Sequence, residues 1–387
     1  MVFWISIASS IIAAAGCTYL IAATILVNRF ARADAPKSPA SMPSVTILKP
    51  LDGDEPGLLE NLASFCDQNY AGAVQIIFGV QDPKDRAIGI VNQLRKCPSA
   101  PEIELVIDPR QHGLNRKVSN LINMAKHIRH EVVVLADSDM RVDPDYLARI
   151  VAALEAPGVG AVSCLYYGVP AAGLWSSLFA LAINAYFIPG VLVGLALGLT
   201  QPCFGSTIAL RRSTLAAVGG FAAVVDNIAD DYALGLALRA RGRAVRIPSF
   251  AVAHTCTTGS AGELWRQELR WGRTIRGVDP WGYVGSAFGY PLPWALVAAF
   301  TSGGPGAFGL AVILAAVAIA CRVSLLRQVE RAFRLEPQAY WLVPLRDLFS
   351  FVVFLSSFLG RDVSWRGRRY RMAFERGWAA QQRAHSP

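Results

Sequence analysis

Asp137-Ser138-Asp139 follows directly on the apolar run Val132-Val133-Val134-Leu135-Ala136. A short β-branched run bounded by polar residues reads as a buried parallel strand. Carboxylates at the carboxyl end of such a strand lie where open α/β sheets bind ligands. Their natural chemistry is to hold a hard divalent cation against a diphosphate, since Mg²⁺-like ions take few carboxylates and complete their shell with phosphate oxygens and water. Taken alone, Asp137 serves equally as a turn cap.

Other groups of the right type recur along the chain. Asp82 closes the apolar run 74–80, where it can accept hydrogen bonds from a base or ribose, or cap the next helix. Asn115-Arg116-Lys117, with Asn120, opens a helix whose amino terminus suits an anion. An ordinary solvated first turn is the plainer reading of a lone lysine. Asp230-Asp231-Tyr232 starts a further helix. Adjacent acids there are usually caps, yet one of two close carboxylates has its pKa raised and can act as a general base. Gln267, Arg270 and Trp271 fall at i, i+3 and i+4 on an amphipathic helix over 261–275. A guanidinium grips phosphate and an indole walls a sugar or lipid. By itself that face is a snorkelling interfacial helix.

The elements that must position these groups alternate in type. The patterning predicts strands over 44–48, 74–80, 103–107 and 132–136, with helices over 56–66, 84–96, 116–128 and 144–154. Such alternation with short connections implies a right-handed, mostly parallel α/β sheet. Of the 387 residues 53% are hydrophobic and 17% charged, and the hydrophobicity is concentrated in segments. Residues 1–28 form an uncleaved transmembrane anchor by length and composition. A Pro/Ala/Ser linker over 29–43 follows, and Arg29, Arg32 and Lys37 place the next domain in the cytoplasm. The apolar stretch 174–199 carries Pro189 and three glycines. A single crossing there would separate later motifs from Asp137, so it reads as an interfacial or membrane-embedded helix pair. Stretches 283–301 and 307–321 read as a membrane hairpin, and 342–360 as a further segment interrupted by Arg346 and Asp347.

The net charge of +9 does not come with an aromatic-interleaved groove motif, so no nucleic-acid partner is expected. Many basic residues flank apolar segments and suit anionic headgroups. Seven scattered cysteines without CxxC spacing read as small buried hydrophobes.

In order, Asp82, Asp137-Ser138-Asp139, Asp231 and Gln267-x-x-Arg270-Trp271 resemble the D, DxD, D, QxxRW series of membrane-bound, family-two-like inverting glycosyltransferases. Ile47-Leu48-Lys49-Pro50-Leu51, Asp230-Asp231-Tyr232 and the tail motif 364–371 narrow the resemblance to ceramide glucosyltransferases and their bacterial relatives. Residues 79–83, 108–110 and 112–124 look most like the hopanoid-biosynthesis branch. In the animal ceramide enzymes a glycine stands where this chain has Asp139. The resemblance implies a GT-A-like nucleotide-sugar-binding domain over 44–281, membrane segments over 282–360 and a basic tail over 361–387. It implies a multi-pass protein of a bacterial inner membrane, with its catalytic domain cytoplasmic. Asp231 would be the catalytic base. Asp82, Lys117, Asp137, Asp230, Gln267, Arg270 and Trp271 would bind substrate, and Asp137 and Asp139 would hold Mg²⁺ or Mn²⁺. The partners implied are a UDP-sugar donor, a membrane lipid acceptor and the bilayer. The expected reaction moves N-acetylglucosamine to bacteriohopanetetrol. Alternatives are glucosylation of ceramide and processive polysaccharide synthesis, the latter weakened by too few membrane helices for a polymer channel.

Overall fold

A computed structural model describes residues 2–33, 39–97, 100–360, 362–365 and 368–371. Lys37 and most of the basic tail over 361–387 lie outside the described residues. The chain forms two compact units, Arg29–Ala171 with Gln201–Thr257, and Met1–Asn28 with Ala172–Thr200 and Thr258–Pro387.

The first unit is α/β. Its strands are β1 (Val45–Pro50), β2 (Val74–Val80), β3 (Glu102–Ile107), β4 (Val132–Leu135), β5 (Met140–Arg141), β6 (Val159–Ser163), β7 (Leu165–Pro170), β8 (Ile208–Arg211), β9 (Ala244–Arg246) and β10 (Ala251–Cys256). Seven of them make one sheet in the order β3-β2-β1-β4-β8-β6-β9. β1 pairs in parallel with both β2 and β4, with Leu48 opposite Ile77 and Leu135. β8 is antiparallel to β4 and β6, so the sheet is mixed though mostly parallel. The first four strands match the alternation read from the sequence. Beyond Ala136 the regular alternation stops, because β8 runs backwards between its neighbours and β5, β7 and β10 form a separate small sheet.

Period-two burial explains the layers. Val45, Ile47, Ile76, Phe78, Val132 and Val134 point to one face, beneath Leu62, Phe65, Val91 and Ile150. Leu48, Ile77, Val133 and Leu135 point to the other, with Leu121 and Met124 of helix Arg116–Ala125. Both faces are covered, as a parallel sheet requires. The strand order turns back between β1 and β4: the chain runs outward to β3, then returns to the far side of β1. In open α/β sheets the ligand crevice lies at such a switch point, here at the carboxyl ends of β1 and β4.

The second unit is built of apolar helices. Val2–Arg32, Gly173–Ala196, Pro305–Phe333 and Tyr340–Ser357 are long and apolar enough to cross a membrane, with mean hydropathy of 2.1, 2.0, 2.4 and 1.2. The stretch expected to form a helix pair is one continuous helical run. Its turn Ile183–Phe187 is a π-helix, and Ile188 N–H bonds to Ile183 O. Widening the turn relieves the clash that Pro189 would otherwise make with the preceding turn. The expected hairpin differs at both ends. Its first helix starts only at Pro291 (Pro291–Phe300), since Pro291 and Pro293 are tolerated in a first turn and not in a helix interior. Its second helix runs on through Arg322 to Phe333, because that guanidinium is fully satisfied by partners in the unit. Along Val2–Arg32 the buried stripe is mostly small (Ser6, Ser9, Ala13, Gly16, Cys17, Ala23), which lets backbones approach closely. Ser6 Oγ donates to Ala298 O at 3.0 Å.

Candidate active site

β4 ends at Leu135, and Asp137 and Asp139 follow it at the switch point. Lys117, on the first turn of helix Arg116–Ala125, places Nζ 2.5 Å from Asp137 Oδ1 and 3.8 Å from Asp230 Oδ2. The helix starts there because the Asn115 side chain caps it, accepting from Val118 N at 3.1 Å. The same amide donates to Asp230 Oδ1 (3.2 Å) and Asn227 O (2.8 Å), which fixes the start of helix Asp230–Arg239 beside it. Burial opposes the charge on Lys117, but Asp137 and Asp230 outweigh it and hold the ammonium well above its ordinary pKa.

Asp231 is oriented by two backbone donors, Gly205 N to Oδ2 (2.9 Å) and Tyr232 N to Oδ1 (2.7 Å). Burial, then the charge of Asp230, push its carboxyl up to about 6 against the pull of Lys117. Gly205 lines the gap these groups share. A Cβ there would lie 3.0 Å from Asp137 Oδ2 and Lys117 Nζ and 3.6 Å from Asp231 Oδ2. The loop bearing Gly205 is pinned to β6 by Phe204 N donating to Ser163 Oγ (2.7 Å) and Ser163 Oγ donating to Phe204 O (3.2 Å).

Asp139 meets His254 of β10, with Nε2 3.1 Å from Oδ2. Burial disfavours the imidazolium, yet Asp139 raises its pKa well above the usual histidine value, so the two form an ion pair. The other oxygen, Asp139 Oδ1, is buried and accepts no hydrogen bond. Such an orphaned acceptor costs free energy unless a partner arrives, and a hard cation is the fitting one. Among the described residues no three His, Cys, Asp or Glu side chains cluster as a complete metal cage. A two-carboxylate site completed by phosphate oxygens and water is the arrangement an Mg²⁺-like ion prefers. The residues present therefore fit such an ion.

The structure thus brings together Lys117, Asp137, Asp230 and Asp231, with Asp139 beside Asp137 in sequence. Asp82 is exposed just past the carboxyl end of β2, where its Oδ1 accepts from Lys84 N at 2.8 Å, a turn contact. Asn120 donates to Gly79 O (2.8 Å) and serves packing. Gln267, Arg270 and Trp271 belong to the other unit, on helix Ala261–Val278, where Trp271 packs on Phe179 with ring centroids 5.3 Å apart. Two groups had drawn no role from sequence. Lys49, fully buried in β1, donates to Asp137 O at 2.5 Å and lies over the Phe65 ring. Burial pushes it down to about 7. His254 is the other. Its signal was a lone histidine in the apolar alternation Ala251-Val252-Ala253-His254.

The sheet order and switch-point site define a GT-A-like fold. A mannosyltransferase from Pyrobaculum calidifontis, solved with GDP-Man and Mn²⁺, superposes with a TM-score of 0.51 and 20% identity over 92% of this chain and 99% of that one. The chain belongs to glycosyl transferase family 21, whose model matches residues 8–377. Ceramide glucosyltransferase 1 of Caenorhabditis elegans is 25% identical over 52% of this chain and 43% of its own length. An N-acetylglucosaminyltransferase of Rhizobium leguminosarum bv. viciae is 24% identical over 60% of this chain and 56% of its own. The chain thus spans about half the length of these two relatives.

Proposed function

We propose that the chain is an inverting, metal-dependent glycosyltransferase that moves one sugar from a UDP-sugar to a hydroxyl of a membrane lipid. The observation that carries this reading is one gap bordered by Asp137, Lys117 and an Asp231 carboxyl poised near 6. Asp137 and Asp139 would hold Mg²⁺ or Mn²⁺, and such an ion would neutralise charge on the departing diphosphate. Lys117 and Asp230 bind at the donor, and Asp82 accepts from the uridine. Asp231 takes the proton of the lipid hydroxyl as that oxygen bonds the anomeric carbon. The bond from carbon to the diphosphate breaks on the opposite face, UDP leaves with the electron pair, and configuration inverts. Gly205 N and Tyr232 N keep the base aimed while leaving each oxygen a free lone pair. Gln267, Arg270 and Trp271 are assigned to substrate on the strength of the family resemblance.

A GlcNAc donor is supported by the bacterial N-acetylglucosaminyltransferase relative, and a hopanoid acceptor by the motifs at 79–83 and 112–124. The second reading, glucose transfer to ceramide, is favoured by the ceramide glucosyltransferase relative. A processive polysaccharide synthase would need a polymer channel, for which the four candidate spans among the described residues give little material. Membranes containing the chain, given a panel of UDP-sugars with either hopanoid polyol or ceramide, should yield a lipid heavier by one sugar, read by mass spectrometry. A polymer, or no product from any pairing, counts against the proposal.

A further inference from the structure

Arg346 and Asp347 are neighbours on helix Val343–Ser357, and both are almost completely buried (1% and 0% exposed). Charges inside apolar helices are costly and are kept where each has a partner and a task. Here each has partners, and they pull in different directions. Asp347 pairs with Arg322 of helix Pro305–Phe333 at 3.2 Å and accepts from the Tyr186 hydroxyl. Arg322 also donates to Ala185 O at 2.8 Å and to Gly289 O. Arg346 grips Glu268 of helix Ala261–Val278 with a two-pronged fork, 2.6 and 2.5 Å. It donates as well to Leu178 O at 3.1 Å and to Ser350 Oγ at 2.9 Å.

Glu268 follows Gln267 directly and lies one turn before Trp271. Trp271 leans on Phe179, the residue after the Leu178 whose carbonyl Arg346 holds. One guanidinium therefore ties both the helix bearing Gln267, Arg270 and Trp271 and the segment that walls the indole. A planar fork fixes rotation about the helix axis, which a point charge does not. We propose that Arg346 is a positioning residue, holding Gln267, Arg270 and Trp271 in the orientation in which they meet substrate through its bonds to Glu268 and Leu178. The kinetic half of this inference rests on the reading that those three bind substrate; the clamp itself does not.

The test uses the full chain in lipid nanodiscs, with Arg346→Met, Arg346→Lys and the exchange Arg346→Glu with Glu268→Arg. Hydrogen exchange should accelerate over 261–278 in Arg346→Met, less in Arg346→Lys, and recover in part in the exchanged pair. UDP binding should persist while kcat for sugar transfer falls by about a hundredfold in Arg346→Met. Unchanged exchange over 261–278 would overturn the clamp, as would loss of protection throughout the protein together with UDP binding in Arg346→Lys. Accelerated exchange with an unaltered kcat would overturn the positioning role. If the wild-type chain transfers no sugar at all, the proposed function fails, and the exchange data still decide the clamp.

Discussion

A carboxylate works as a general base only when its proton affinity sits near the working pH. Asp231 meets that condition through its setting: burial and the neighbouring Asp230 lift it to about 6. As the proposed base, Asp231 must be ionised to act, so kcat/KM should rise with pH through about 6 and level off above it. A profile flat from pH 5 to 8 would remove Asp231 from that role. At this scale the sequence was legible where the chemistry is local. Asp137 and Asp139 follow a β-branched run, and Asp230 and Asp231 open a helix. Lys49 and His254 were not legible, because their meaning comes from contacts distant in the chain. Lys49 lies 88 residues from the carbonyl it holds, and no spacing rule spans such a separation.

Elements reach the site only because they pack closely. Helix Arg116–Ala125 lies so near β2 that a Cβ on Gly79 would fall 2.5 Å from Asn120 Oδ1 and closer still to Met124 Sδ. Gly79→Ala should therefore destabilise the protein by about 1–3 kcal/mol through overpacking. Thermal unfolding of the purified chain should show a lowered midpoint, and an unchanged midpoint would mean the helix can shift freely. The strands β1 to β4 and their helices were readable from alternation, since each is a complete apolar run with turn residues at its ends. β5, at two residues, and β9, at three, are too short to carry a period. The reversal at β8 is set by tertiary pairing. In the helical unit, Pro291 moved one helix start, and Pro189 produced a π-turn where a break between two helices was expected.

At the scale of the whole molecule, charge and hydrophobicity are sorted along the chain. Helices long and apolar enough to cross a membrane alternate along the chain with an α/β unit carrying the carboxylates. Under the positive-inside bias, Arg29 and Arg32 at the end of the first helix predict that the α/β unit faces the cytoplasm. Cys97 is exposed in that unit. A membrane-impermeant maleimide should label it in inside-out vesicles and not in intact spheroplasts, with Cys97→Ser as the control. Labelling from the outer side would reverse the orientation. The family resemblance was legible from ordered motifs spread over most of the chain, whereas the charge clamp of Arg346 and Asp347 read only as a flaw in an apolar helix. Its partners, Glu268 and Arg322, lie 78 and 25 residues away.

The most direct measurement compares UDP release by the purified wild-type chain and Asp231→Asn, each given UDP-sugar, lipid acceptor and Mn²⁺. Release by the wild type should require both lipid and metal. In Asp231→Asn it should fall by about 10²–10⁴-fold while UDP-sugar still binds. An Asp231→Asn chain that releases UDP at the wild-type rate would contradict the account.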